Sequence, residues 1–285
     1  MKLVSFSALN GDAAGKIRPG ILLEDGNLAI DLTPAGYADA LAVIAAGLTT
    51  LSPGGAYQAH SLNEVRLHAP LANPPRVFAI GLNYRDHAIE SGMAIPTSPV
   101  VFFKLPTAIV GPGDAIVLPF NSTQPDYEAE FAFVIGKGGY RIPASAWREH
   151  VYGYTNVNDV SARDVQFAST QWSMSKCFPT FCPLGPAIVT ADEIADPHQL
   201  AIGLSIDGEQ LQSSNTRELV FKIPELIEYL SSITPLLPGD IVSTGTPPGV
   251  GLGRTPKRWL KPGETVTVTV EGLGSLTNPV VAERL

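Results

Sequence analysis

Cysteine is scarce in this sequence: Cys177 and Cys182 are the only two in 285 residues. Two thiols without metal-type spacing exclude a disulfide scaffold and a zinc ribbon. Positive charge is also short, with 19 Lys and Arg against 27 Asp and Glu and a net charge of −8. With no basic patch interleaved with aromatics, that balance argues against nucleic acid as a partner. No apolar run approaches the roughly 20 residues that cross a bilayer as a helix. The run Leu3-Val4-Ser5-Phe6 after Lys2 is too short for the apolar centre of a signal peptide. Neither nucleic acid nor a membrane is therefore expected as a partner. A cytoplasmic protein with reduced thiols is.

Glycine and proline are plentiful, at 27 and 25 residues, and they punctuate many short apolar segments. A 45% hydrophobic chain of this length can bury a large core. The pattern predicts an α+β fold that is mainly β. Residues 1–71 read as a small N-terminal α/β domain. It has strands near 3–6, 21–23 and 28–32, a hairpin turn at Asp25-Gly26-Asn27, and a helix over 37–47. His60 and His68 read there as surface or packing residues. A proline-rich linker, Pro70 to Pro75, leads into residues 72–285. Strands are expected there at 77–81, 99–104, 116–118, 131–135, 151–158 and 265–271, with a hairpin through Asp207-Gly208. Helical turns are expected at 83–90, 144–150 and 223–230, and 178–186 reads as loop.

The chemistry-bearing run is Asp126-Tyr127-Glu128-Ala129-Glu130, at the mouth of an apolar strand. Residues i and i+2 of a strand face the same side, roughly 7 Å apart. Glu128 and Glu130 therefore aim two carboxylates at one point. Two like charges buried together need a cation, and a hard divalent ion with oxygen ligands is the natural one. Asp159, in the polar turn Asn158-Asp159, could supply a third carboxylate. Arg163 and Gln166 on the next helical turns could point back at the same place. His87 and Glu90 are i and i+3 on a short helix, where the carboxylate can fix the imidazole tautomer. The Gly245 to Gly251 loop, rich in Gly and Pro, can present backbone N–H groups to an anion, although it lacks the G-K-[ST] ending of a P-loop.

Several ordered motifs together resemble the fumarylacetoacetate hydrolase family. They are Gly81-Leu82-Asn83-Tyr84-x-x-His87-Ala88-x-Glu90, Asp126-Tyr127-Glu128-x-Glu130, Asn158-Asp159-Val160-Ser161-Ala162-Arg163-Asp164-x-Gln166, Lys176, and Pro238-Gly239-Asp240 through Gly251. The resemblance runs from about Pro74 to the C-terminus. It implies a catalytic domain built as a mixed β-roll, usually a homodimer, with Mg²⁺ or Mn²⁺ as cofactor. Glu128, Glu130 and Asp159 would be the metal ligands, and His87 with Glu90 the general base pair on a lid segment. Lys176 would stabilise developing negative charge. Lys104, Arg163, Gln166 and Thr246 would serve the substrate, Thr246 at its carboxylate. The implied substrate is a small 2-oxo acid. Hydrolysis of a C–C bond in an acylpyruvate, through a metal-bound enolate, is the leading expectation. Decarboxylation of oxaloacetate, or isomerisation of a 2-hydroxyhepta-2,4-diene-1,7-dioate, is the alternative on the same site. One residue departs from the family pattern: Pro179 stands where many members have Asp. The sequence leaves the substrate tail open, to be set by the segment after Glu90, by Gln171-Trp172 and by Arg254.

Overall fold

The computed structural model describes residues 1–11, 14–23, 27–90, 92 and 94–284. Its organising element is the strand Ala129–Ile135, buried at every position. Strands covered on both faces read as continuous apolar runs, as this one does. Its side chains alternate between two cores. Phe131, Phe133 and Ile135 join one cluster, and Ala132 and Val134 join another. Phe131 stacks on Tyr154 of the neighbouring strand, with ring centroids 5.3 Å apart. Each such aromatic taken out of water contributes about 1.5–3 kcal/mol.

Ala129–Ile135 pairs antiparallel with Val151–Asn158 on one side and Ile241–Ser243 on the other. Beyond Ile241–Ser243 lie Val77–Gly81, in parallel, and the edge strand Val100–Lys104. Beyond Val151–Asn158 lie Cys182–Thr190 and then Lys2–Ala8. A second sheet, ordered around Ala201–Ile206 and Thr265–Val270, closes the larger core against Phe131 and Phe133. The helix Ile223–Ile233 covers that core with Leu226, Ile227 and Leu230. The chain thus adopts the expected class, α+β and mainly β with a mixed sheet, and no closed barrel forms among the described residues. No described helix is long and apolar enough to cross a membrane.

Residues 1–71 share a sheet and a core with residues 72–285. Lys2–Ala8 pairs with Cys182–Thr190, and Leu3, Ile21 and Leu32 pack with Val77, Ala132 and Ile241. The helix expected over 37–47 is confined to Ala40–Ala45, because the Asp39 carboxylate caps it by accepting from the Ala42 N–H at 2.8 Å. Asp25 and Gly26 of the expected turn lie outside the described residues. The Asp207-Gly208 hairpin forms, with positive φ at both residues.

One expectation is corrected. The stretch expected as loop over 178–186 contains the start of a long strand, Cys182–Thr190. Its prolines disguised it, since proline cannot donate to a ladder. The strand tolerates Pro186 because its pairing with Val151–Asn158 shifts register between Tyr154 and Asn156, opposite that residue. There the Asn156 side-chain amide donates to the Gly185 carbonyl at 3.0 Å.

Candidate active site

Glu128 directly precedes Ala129–Ile135, and Glu130 lies within it; Asp159 directly follows the partner strand. The ends of this strand pair are tied: Asp159 N–H donates to the Glu128 carbonyl at 2.9 Å, and Glu128 N–H to Asn158 Oδ1 at 3.1 Å. Ala129 turns into the apolar cluster. The i, i+2 spacing therefore brings both glutamates to one place in space. Carboxylate oxygens of Glu128, Glu130 and Asp159 all lie within 4.8 Å of one another, and all three residues are buried.

Cations knit this cluster together. Lys176 Nζ donates to Glu128 Oε2 and Asp159 Oδ2, each at 2.7 Å. Lys104 Nζ donates to Asp159 Oδ1 at 2.6 Å and to the Lys176 carbonyl at 2.5 Å. Arg163 bridges outward, from Glu128 Oε1 at 2.6 Å to Asp126 Oδ2 at 2.8 Å, and also donates to Gln166 Oε1 at 2.8 Å. Glu130 Oε2 accepts from the Ser243 hydroxyl and, at 3.1 Å, from Gly245 N–H.

The surroundings set the protonation states. Burial alone would raise the Glu128 carboxyl, but the charges of Lys176 and Arg163, with a further contribution from His87, hold it down at about 2. Burial works against the Lys176 ammonium as well, and the Asp159 and Glu128 charges outweigh it, so its pKa is raised. Glu130 is pushed well up, first by burial and then by the Asp159 and Glu128 charges. Asp126, Glu128 and Asp159 face Lys104, Arg163 and Lys176 across this cluster, with Glu130 as the fourth acid. Three hard oxygen donors within 4.8 Å of one another, two of them held by the Lys176 ammonium, are a set that can hold a divalent metal.

A raised pKa means that the folded chain binds the Glu130 proton more tightly than the unfolded chain does. The metal-free fold loses that stabilisation as pH rises, whereas a dication must displace the proton. Metal affinity is therefore expected to strengthen as pH rises, with proton release coupled to ion binding. Calorimetric Mg²⁺ titrations in buffers of different ionisation enthalpy count that proton. Release of none would sink the assignment to Glu130.

The second half of the site is the helix Arg85–Glu90. His87 Nδ1 and Glu90 Oε2 are 3.0 Å apart, and Glu90 Oε1 accepts from Gly249 N–H at 3.0 Å. Asp86 Oδ2 accepts from the Ser214 hydroxyl at 2.5 Å, and buried Ala88 seats the helix. Gly249 has φ +100°, and a Cβ there would come within 2.2 Å of the Leu211 carbonyl oxygen, so the position requires glycine. The Gly/Pro loop does bind anions through its backbone, but they are the protein's own. Besides Glu90, the loop holds Asp126, which accepts from Gly251 N–H at 2.7 Å and Leu252 N–H at 3.0 Å.

His87, Glu90, Glu128, Glu130, Arg163 and Lys176 border one cavity of about 410 Å³, with Gln166 and Thr246 also on its wall. Asp159 and Lys104 do not border it; they stand behind Lys176, fully buried. Thr246 Oγ1 accepts from Gln212 Nε2 at 2.9 Å. Trp172 lines the cavity, whereas Gln171 and Arg254 do not. Arg254 turns inward and donates to the carbonyls of Gly249 and Leu211. Sequence reasoning gives no role to Asp126, although it lies two residues before Glu128 in the same alternation. It also misses Ser243, Asn158 and Gln212, which orient the acids and Thr246 from other strands.

The family described as fumarylacetoacetate (FAA) hydrolase C-terminal matches residues 76–281. The oxaloacetate tautomerase fahd2 of Xenopus laevis, a mitochondrial protein, is 42% identical over 291 residues, covering 99% of this chain and 90% of its own. The oxaloacetate tautomerase YisK of Bacillus subtilis is 44% identical over 225 residues, covering 78% of this chain and 75% of its own. Among solved structures, a fumarylacetoacetate hydrolase from Exiguobacterium antarcticum superposes with a TM-score of 0.88 at 35% identity, over 99% of this chain and 100% of that one.

Proposed function

The chain belongs to the fumarylacetoacetate hydrolase family, and we propose that it is a divalent-metal-dependent enzyme that moves a proton between C3 and the 2-oxo oxygen of an enolisable 2-oxo acid. The observation that carries this reading is that the His87–Glu90 pair and the carboxylate–lysine cluster open onto the same cavity. Mg²⁺ or Mn²⁺ held by Glu128, Glu130 and Asp159 would supply Lewis acidity toward the 2-oxo group. Glu90 accepts from His87 Nδ1–H and so leaves Nε2 free to take the C3 proton. The imidazolium then returns that proton to the enolate oxygen. Lys176 and Arg163 are fixed cations beside the charge that develops, and need no reorganisation to meet it. Thr246 and Gln166 hold the carboxylate end, and Lys104 acts from behind by holding Asp159. Keto–enol interconversion is also the reaction in the names of the Xenopus and Bacillus relatives, there for oxaloacetate.

A second reading, hydrolysis of a C–C bond in a 2,4-dioxo acid, uses the same base on a water molecule. The volume of the cavity favours it, since there is room for a longer acid and a water. Three assays separate the readings: loss of enol absorbance from oxaloacetate, release of carbon dioxide, and consumption of an acylpyruvate. Each is run with and without Mg²⁺ or Mn²⁺. Metal-dependent enol loss without the other two supports the first reading, and acylpyruvate cleavage supports the second. Metal-independent behaviour in all three defeats both. We also propose residues 72–285 as the catalytic domain, since the cavity is lined from Ile80 to Gly253. A homodimer in the cytoplasm completes the proposal.

A further inference from the structure

The head-group end of the cavity is polar, and the surface leading away from it is not. Lys176 Nζ lies 5.1 Å from the centroid of the Phe102 ring. Phe102 in turn meets Trp172 edge-on, with centroids 5.8 Å apart at 68°. The indole is pressed against Gly81, where a Cβ would come within 2.2 Å of Trp172 Cζ3. Ile80, Leu82, Val250 and Leu252 continue the apolar lining. An aromatic wall therefore begins at the ammonium group and runs outward.

The same cavity has little to offer a second negative charge. Arg163 is engaged by Asp126, Glu128 and Gln166, and Lys176 by Glu128 and Asp159. Among the described residues no other Lys or Arg borders the cavity. The N–H groups of Gly249, Gly251 and Leu252 are occupied by Glu90 and Asp126. A distal carboxylate lying here would lose its water without gaining a partner, which is costly. A ring laid on Phe102 and Trp172 would gain burial and edge or offset stacking. The volume, about 410 Å³, falls within the range of roughly 300–1,000 Å³ that takes drug-sized ligands.

We infer that this cavity selects 2-oxo monocarboxylic acids with an aryl or branched alkyl substituent beyond the 2-oxo group, over dicarboxylic acids, and that Trp172 is the residue that sets this preference. The inference rests on the 2-oxo acid reading of the head group given above. It separates this chain's preferred substrate from the diacid in the names of its relatives.

Two 2-oxo acids without a C3 hydrogen, phenylglyoxylate and ketomalonate, test it by binding alone. Each is titrated calorimetrically into the Mg²⁺-loaded protein. Phenylglyoxylate should bind more tightly by about tenfold or more, the discrimination an apolar pocket typically achieves. Trp172→Ala should remove most of that preference by weakening phenylglyoxylate, with ketomalonate changed by less than about twofold, and Trp172→Phe should retain much of it. Trp172 is half-buried and its hydrogen bonds to Ser175 run through its backbone carbonyl, so truncation leaves that turn intact. Equal or tighter binding of ketomalonate, or a Trp172→Ala variant that weakens both ligands alike, overturns this inference alone. Binding of neither ligand overturns the head-group reading and this inference with it.

Discussion

Asp159→Ala should abolish metal-dependent turnover and cost more stability than any other single change at the site. Asp159 holds two ammonium groups, Lys104 through Oδ1 and Lys176 through Oδ2, and all three side chains are almost wholly buried. Truncation leaves Lys104 with only the Lys176 carbonyl and Lys176 with only Glu128. Removing one partner of a buried ion pair costs about 3–5 kcal/mol, because the remaining charge is stranded rather than merely unpaired. The proposed metal site loses one of its three carboxylates in the same step. Asp159→Asn separates the two effects. The amide keeps the volume and one acceptor oxygen, so the stability loss should fall to about 1–3 kcal/mol, while turnover stays at background. Denaturant titration reads the first quantity and Mg²⁺ titration the second. Wild-type metal affinity in Asp159→Asn would remove Asp159 from the proposed ligand set.

The parts of this site that are legible in the sequence are those that depend on local periodicity. Alternation along Ala129–Ile135 places Glu128 and Glu130 on one face, and the i, i+3 spacing of His87 and Glu90 puts them in contact. Partner choice between distant strands is not periodic, and there the sequence is silent. Lys104 is legible as a lysine at a strand end, but its position behind Asp159 depends on the packing of Val100–Lys104 beside the Ser173–Lys176 turn. The anion-binding character of the Gly/Pro loop is legible from composition. That its anions are Glu90 and Asp126 is not, because both lie more than a hundred residues upstream. Cys182–Thr190 is hidden for the opposite reason: two prolines argue locally against a strand, and at Pro186 a register shift against the partner overrides that argument.

Asp126 ties the two halves of the site together. It is fully buried and accepts from Arg163, Tyr127, Gly251 and Leu252. Arg163 holds Glu128, and the loop tied down by Asp126 holds Glu90 through Gly249. The acid cluster and the His87–Glu90 pair are thus anchored to one carboxylate, which does not itself border the cavity. Fixed orientation on both sides is what a proton transfer between nearby atoms requires.

His87→Ala tests the proposed proton-transfer half of the site. His87 is no part of the carboxylate cluster, so Mg²⁺ affinity should stay within about threefold of wild type. A positioned general base is typically worth about 10²–10⁴ in rate, and turnover should fall by that factor. The most direct readout is exchange of the C3 hydrogens of a 2-oxo acid into deuterated water, followed by NMR, because it registers proton transfer whichever reaction comes next. Glu90→Gln should be milder, roughly tenfold, since the amide oxygen can still accept from His87 and from Gly249 but no longer stabilises an imidazolium by charge. If His87→Ala retained wild-type C3 exchange with metal bound, the base would have to lie elsewhere on the cavity wall, and the His87–Glu90 pair would be left only its structural role of holding the helix against the glycine loop.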